Sequence, residues 1–195
     1  MAWLAFQFLA AIVSILYLSG EPCFCCPINQ KEALLKFKQS LLEELNLNPS
    51  SDASLAGLET WNLSSDCCKW ARVTCEYIEP SKPVTELDIY SLVPFLVNVT
   101  AKSVVSSTVL NPLFSISSLR AVDISSNLIL GGEIPAPWFA NLTMLEHLDM
   151  RMNSFNGSIP QELFGLKNFK YLDASDNWLS GSLSSDVRNL RNLQF

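Results

Sequence analysis

Charge is scarce in this chain: only 16% of its 195 residues are charged, and the net charge is −6. Lysine and arginine never form a run. Neither a phosphate backbone nor an anionic membrane surface finds a basic patch here, so nucleic acid is excluded as a partner. Histidine occurs once, as His147. There is no HExxH zinc motif, no phosphate-cradling glycine loop and no GxSxG elbow to present a serine nucleophile. With a lone imidazole and no nucleophile motif beside it, neither catalysis nor a cofactor is expected.

Long apolar runs are also missing, with one exception. Residues 2–18, AWLAFQFLAAIVSILYL, hold no charge and are interrupted only by Gln7 and Ser14. The run is N-terminal, slightly short for a bilayer span, and followed by the small residues Ser19 and Gly20. Residues 1–25 therefore read as a signal peptide. The absence of Lys and Arg before the run keeps an uncleaved anchor as the alternative. A secretory route implies an oxidising compartment in which disulfides persist. The cysteines are Cys23, Cys25, Cys26, Cys67, Cys68 and Cys75, and cleavage before Cys26 leaves the last four. Neighbouring cysteines bond to each other only with strain. Cys26 is therefore expected to pair with one of Cys67 and Cys68, and Cys75 with the other. A zinc site is disfavoured, because these four have no CxxC spacing among them, no nearby His and an oxidising surrounding.

What is present begins with a helix. In NQKEALLKFKQSLLEELN, from Asn29 to about Asn46, Leu34, Phe37, Leu41 and Leu45 recur at three and four and form one apolar stripe. Asn29 and Glu32 have the spacing of a capping box, and Asn48-Pro49 ends the segment. After a polar stretch, Trp61 and Trp70 flank the cysteine pair and offer large apolar area to a small stapled unit.

From residue 83 the chain repeats itself. LRAVDISSN, LEHLDMRMN and FKYLDASDN align, and their asparagines, Asn127, Asn153 and Asn177, are 26 and 24 residues apart. VTELDI, from Val84, is an earlier partial copy, and LQF, Leu193–Phe195, starts a further one. Between copies stand LGGEIP, FNGSIP and LSGSLS. This period and pattern mark a leucine-rich-repeat solenoid. Leu119, Val122 and Ile124 are expected to stack under Leu145, Leu148 and Met150, and those under Phe169, Leu172 and Ala174. The asparagine is expected to turn inward after each strand and satisfy backbone groups that no ladder reaches. No repeat buries its own apolar face, so an end unit must cover the first one. The clamped helix is placed to do that. The predicted fold is thus an α/β leucine-rich-repeat solenoid, a right-handed horseshoe segment, with a disulfide-clamped helical cap over residues 26–82 and repeats over 83–195. The step from Val84 to Leu119 is longer than a repeat and implies an insertion. The last copy is incomplete, as expected of a fragment or a truncated form.

The residues resemble one family in particular: the extracellular parts of plant leucine-rich-repeat receptor-like proteins. The resemblance rests on Cys26–Lys38 (C-x6-ALLKFK), on Trp61–Cys75 (W-x5-CC-x-W-x2-VTC) and on the N-x-L-x-G-x-I-P style of the repeats. It implies pairing of Cys26 with Cys67 and of Cys68 with Cys75. It also implies plant-type repeats with a second short strand near the Gly-x-Ile-Pro segment. As function, the resemblance implies recognition of an extracellular peptide, protein or glycan in defence or developmental signalling, with a co-receptor at the plasma membrane. It places the full-length protein on the outer face of that membrane, and a shorter form in the apoplast. A secreted inhibitor of polygalacturonase, similar in its cap, is the alternative.

Four N-x-S/T sequons, at Asn62, Asn98, Asn141 and Asn156, fit a secreted glycoprotein. Ligand contacts are expected on the concave strand face, at Asp123, Ser125, Asp149, Arg151, Asp173 and Ser175, with Arg120, His147, Tyr171 and Met152 near them. The aspartate column suggests a metal or catalytic reading, but its recurrence assigns it to the repeat itself, where it solvates the strands. Non-reducing peptide mapping is expected to recover Cys26–Cys67 and Cys68–Cys75; free thiols at these positions would remove the clamp from the cap.

Overall fold

The computed structural model describes residues 25–47, 55, 57–78, 80–92, 105–127 and 130–189. The signal segment up to residue 24, the sequon at Asn98 and the partial copy at Leu193–Phe195 lie outside the described residues.

The first element is helix α1, Ile28–Glu44, which buries Gln30, Leu34, Phe37 and Leu41. Its apolar stripe is the one read from the sequence, but the capping box does not form. The helix starts at Ile28, directly after Pro27, and no side chain caps it. The proline ring fixes a φ of −56°, suited to a chain entering a helix. Its carbonyl accepts from the N–H groups of Gln30 and Lys31, at 3.0 and 3.1 Å. Asn29 consequently lies inside the first turn, past the position where a cap acts.

The stripe packs on aromatic rings. Trp61 and Trp70 stack with centroids 5.6 Å apart, and Phe37 lies 6.2 Å from Trp61. Burying an indole leaves a donor to satisfy. Trp61 Nε1 donates to the Ala71 carbonyl at 2.9 Å, and Trp70 Nε1 to Ser65 Oγ at 2.7 Å. Two disulfides close the unit: Cys26–Cys67 across 41 residues and Cys68–Cys75 across 7. In a chain-entropy account these closures contribute about 4 and about 2–3 kcal/mol.

Among the described residues nine strands follow, numbered along the chain. β1 is Val73–Cys75, β2 Val84–Asp88, β3 Val105–Ser106, β4 Ala121–Asp123 and β5 Leu130–Glu133. β6 is His147–Asp149, β7 Ser154–Gly157, β8 Tyr171–Asp173 and β9 Trp178–Leu179. They form two sheets, ordered β1-β2-β4-β6-β8 and β3-β5-β7-β9. In the first, β1 runs antiparallel to β2, and every later neighbour is parallel. The second sheet is the short strand series that plant-type repeats add. Opposite the main sheet lie 3-10 segments and the short helix α2, Trp138–Asn141.

Registration across the main sheet is strict: Leu87 faces Val122, Val122 faces Leu148, and Leu148 faces Leu172. Leu119, Leu145 and Phe169 are all buried, as are Ile124 and Met150. Ala174 is half-buried and packs against the core. On the helical side Phe114 and Trp138 stack at 4.1 Å, and Trp138 Nε1 donates to Asn111 Oδ1 at 2.7 Å.

The turns after β4, β6 and β8 are each held by a carboxamide. Asn153 Nδ2 donates to the carbonyls of Met150 and Arg151 in its own turn, and to that of Ile124 one repeat earlier at 2.9 Å. Its Oδ1 accepts from Asn127 N at 3.1 Å. Asn127 does the same to Ile124, Ser125 and Ile89, and accepts from Leu92 N. Asn177 bonds Ala174, Ser175 and Met150, and accepts from Phe155 N. The residue before each asparagine, Ser126, Met152 or Asp176, is left-handed with φ of 58°, 53° and 53°. Such a backbone costs a non-glycine residue about 1–2 kcal/mol, which the amide bonds offset.

Helix and solenoid are joined by one polar cluster. Gln30 Oε1 accepts from Val84 N at 2.8 Å, and its Nε2 donates to Ser118 Oγ at 3.0 Å. Ser118 Oγ donates in turn to the Val84 carbonyl at 2.7 Å.

Replacing Asn153 with Leu removes three donated bonds and one accepted bond inside the core. A loss of about 1–3 kcal/mol is expected, read from urea unfolding; an unchanged midpoint would remove the amide from its holding role.

Candidate ligand-binding face

The outer surface of the five-stranded sheet forms a shallow concavity of about 420 Å³. Arg72, Thr74, Glu86, His147 and Tyr171 line it, over a floor that includes Ala121 and Val122. The aspartates align across it in register, Asp88 with Asp123, Asp123 with Asp149, and Asp149 with Asp173.

These carboxylates belong to the turns. Asp123 Oδ1 accepts from the Ser125 N–H at 2.8 Å and from Ser125 Oγ at 2.6 Å. Asp173 accepts the same pair from Ser175, at 3.0 and 2.6 Å. Asp149 accepts from Arg151 N and Asp88 from Tyr90 N. Each oxygen satisfies a donor two residues on, the geometry of an Asx turn. The sequence reading of Ser125 as a surface contact is corrected here: its side chain turns back to Asp123, and the residue is 0% exposed. Ser175 makes the same bond while remaining exposed.

Arg151 bridges two repeats. Its guanidinium lies 3.5 Å from Asp149 and 3.7 Å from Asp173. Burial pushes the Asp149 carboxyl above its usual range, and the carboxylates of Asp123 and Asp173 add to this, against the pull of Arg151. The Ser175 hydroxyl holds Asp173 below its usual range. Tyr171 is shifted upward, first by burial and then by Asp173 and Asp149. The His147 and Tyr171 rings lie 6.1 Å apart on adjacent strands, and the imidazole is exposed. Just before the strands, Arg120 lies 3.5 Å from Glu76, and Lys170 pairs with Glu146. That hydrogen bond from Lys170 lowers the Glu146 carboxyl. Arg120 and His147 act on Glu146 in the same direction, so alternating charge crosses the repeats along this edge.

The other predicted residues lie elsewhere. Asn62 sits before the cysteine pair, Asn141 ends α2 and Asn156 belongs to β7; all three are exposed and none lines the concavity. Metal ligation at the cap is closed off. Cys26, Asp66, Cys67 and Cys68 lie within 4.8 Å of one another, but their sulfurs are in disulfides, and the thiolate is the ligating form. Asp66 works as a tie, its Oδ1 accepting from Cys26 N at 3.0 Å and Cys68 N at 3.1 Å. Sequence reasoning missed both Asp66 and Gln30. The available signal for Asp66 was its position before the cysteine pair, where an N-cap acts.

A disulfide-bonded cap, a register-locked parallel sheet and an asparagine in the turns after β4, β6 and β8 define a leucine-rich-repeat solenoid. Family models agree: "Leucine rich repeat N-terminal domain" matches residues 27–76, and "Leucine rich repeat" matches 117–179. Receptor-like protein 46 of Arabidopsis thaliana is 46% identical over 143 residues, which is 73% of this chain and 16% of that protein. Among solved structures, the BIR2 ectodomain from Arabidopsis thaliana aligns with a TM-score of 0.63 at 25% identity, covering 84% of this chain and 76% of that one. The Arabidopsis receptor kinase HAESA, in complex with the peptide hormone IDA and the co-receptor SERK1, aligns at 0.59 and 26% identity, covering 84% of this chain and 24% of that one. The chain belongs to the leucine-rich-repeat family, in the form found at the N-terminal part of plant receptor-like proteins. It spans about one-sixth of the length of the first curated relatives it matches.

Folding raises the Asp149 pKa, so the fold disfavours the ionised side chain. The stability it contributes is present below the ordinary carboxyl range and is lost as pH rises through the folded value. Asp149→Asn keeps an acceptor for Arg151 N–H and removes the charge. Its Tm at pH 7 is expected to equal or exceed that of the parent, with the gap closing as pH falls toward about 4. A clear loss of Tm at neutral pH would show that the bridge to Arg151 outweighs burial.

Proposed function

We propose that this chain is the N-terminal stretch of the extracellular recognition region of a plant receptor-like protein, and that its concave sheet contributes contacts to a peptide, protein or glycan ligand in defence or developmental signalling. One observation carries the reading. The turn-locking bonds of Asp88, Asp123, Asp149 and Asp173 fix the frame, while His147, Tyr171, Arg72 and Glu86 stand over the concavity. A rigid aromatic and an imidazole on a fixed sheet offer a partner apolar area and hydrogen bonds with little ordering cost.

The likeness to a receptor kinase solved with a peptide hormone and a co-receptor supports a ligand of that kind, and a co-receptor beside it. The sequons at Asn62, Asn141 and Asn156 support passage through the secretory pathway and leave the concave face free of sugar. Among the described residues no helix is long and apolar enough to cross a membrane. The full-length protein is placed on the outer face of the plasma membrane, and a shorter secreted form in the apoplast. No catalytic role is assigned, and the polygalacturonase-inhibitor alternative draws no support from the comparisons.

A photoreactive residue at Tyr171, with one at Glu162 on the helical side as control, tests this in the secreted chain exposed to apoplastic fluid. A cross-linked extracellular component is expected at position 171 and not at 162. Equal capture at the two positions would remove the concave face from recognition.

A further inference from the structure

Trp178 is 76% exposed, whereas Trp61, Trp70 and Trp138 are each 3% exposed or less. The core does not use it. On β9 the inward position is Leu179, which packs against the core, and Trp178 takes the opposite face. The strand register gives that face a column: Glu133 pairs with Asn156, and Asn156 with Trp178. Both earlier members are polar and exposed. The exposed indole presents its apolar face to whatever group the register neighbour Asn156 carries. The residue beside it is the asparagine of the sequon Asn156-Gly157-Ser158.

We propose that Asn156 carries an N-linked glycan whose first N-acetylglucosamine rests on the indole of Trp178. The modification takes a lipid-pyrophosphate-linked oligosaccharide as donor. Asn156 Nδ2 attacks the anomeric carbon, an N–C bond forms, the C–O bond to phosphate breaks, the lipid pyrophosphate leaves, and the amide gives up one proton. Register partners on neighbouring strands are about 4.8 Å apart and point to the same face. A sugar one bond beyond Nδ2 therefore reaches over the adjacent ring with no backbone movement. A β-linked N-acetylglucosamine has three axial C–H groups on one face, and the negative face of an indole attracts such weakly positive hydrogens. The glycan shields the ring, and the ring orients the glycan away from the concave sheet.

The inference rests on the secretory route of the proposed function, and the experiment separates the two. The chain is expressed in plant cells with its own N-terminus, as wild type, Ser158→Ala and Trp178→Ala, and glycopeptides are mapped. Hydroxyl-radical footprinting is then read at the Trp178 peptide. The expected result is a glycan on Asn156 and severalfold less oxidation of Trp178 in wild type than in Ser158→Ala. That protection should survive an endoglycosidase that leaves one N-acetylglucosamine. In the Trp178→Ala background, adding Ser158→Ala is expected to leave Tm unchanged, whereas in wild type it lowers it. Sugar on Asn62, Asn98 or Asn141 with Asn156 bare overturns the seat and leaves the route standing. Sugar on none of the four sequons overturns both. Equal oxidation of Trp178 with and without the glycan, or protection lost on trimming, overturns the contact.

Discussion

Inward-turned carboxamides at Asn127, Asn153 and Asn177 do for the turns what ladder hydrogen bonds do for the strands. After each short strand the chain must leave the sheet, and the peptide groups there have no neighbouring strand to pair with. An asparagine supplies donors and an acceptor from one rigid group, and it bonds its own turn and the preceding one together. Spacing, stacking and register all follow, because a turn tied to its predecessor forces the next strand into line. The left-handed residue before each asparagine is tolerated for the same reason.

The cap solves a different problem. A stack of repeats exposes an apolar layer and unpaired strand groups at its start. Here α1 covers the layer with Leu34, Phe37 and Leu41. The antiparallel β1 takes the strand edge, and Gln30 satisfies the Val84 N–H that no strand reaches. Cys67 and Cys68 pull their segment in two directions, toward the helix through Cys26 and toward β1 through Cys75.

What could be read from the amino acids divides along physical lines. The solenoid was legible because Leu145, Leu148, Asn153 and Gly157 have counterparts that recur at a fixed distance in neighbouring repeats. The capping box at Asn29 was misread because two signals competed, and a proline already set the entry of the helix. Ser125 was misread because alternation along a strand predicts an outward side chain, while the turn chemistry of Asp123 turns it back. Gln30 was not legible at all, since its partner is 54 residues away and nothing local distinguishes a buried glutamine from an exposed one. Asp66 offered only its place before the cysteine pair, its tie to Cys26 lying 40 residues away. The concave face was legible as a place, since its frame repeats; what it grips is written in side chains that the frame leaves unconstrained.

The antiparallel β1 gives the molecule a direction. One margin of the main sheet is sealed by a strand running backwards and stitched by sulfur, so growth by parallel addition proceeds only from the other. The sealed margin is also the part translated first. A ribosome making this chain delivers a finished foundation before any repeat emerges, and each new segment docks on a completed surface rather than searching for a distant mate. Contacts between neighbours in sequence shorten that search, and synthesis and assembly advance together in a single sense.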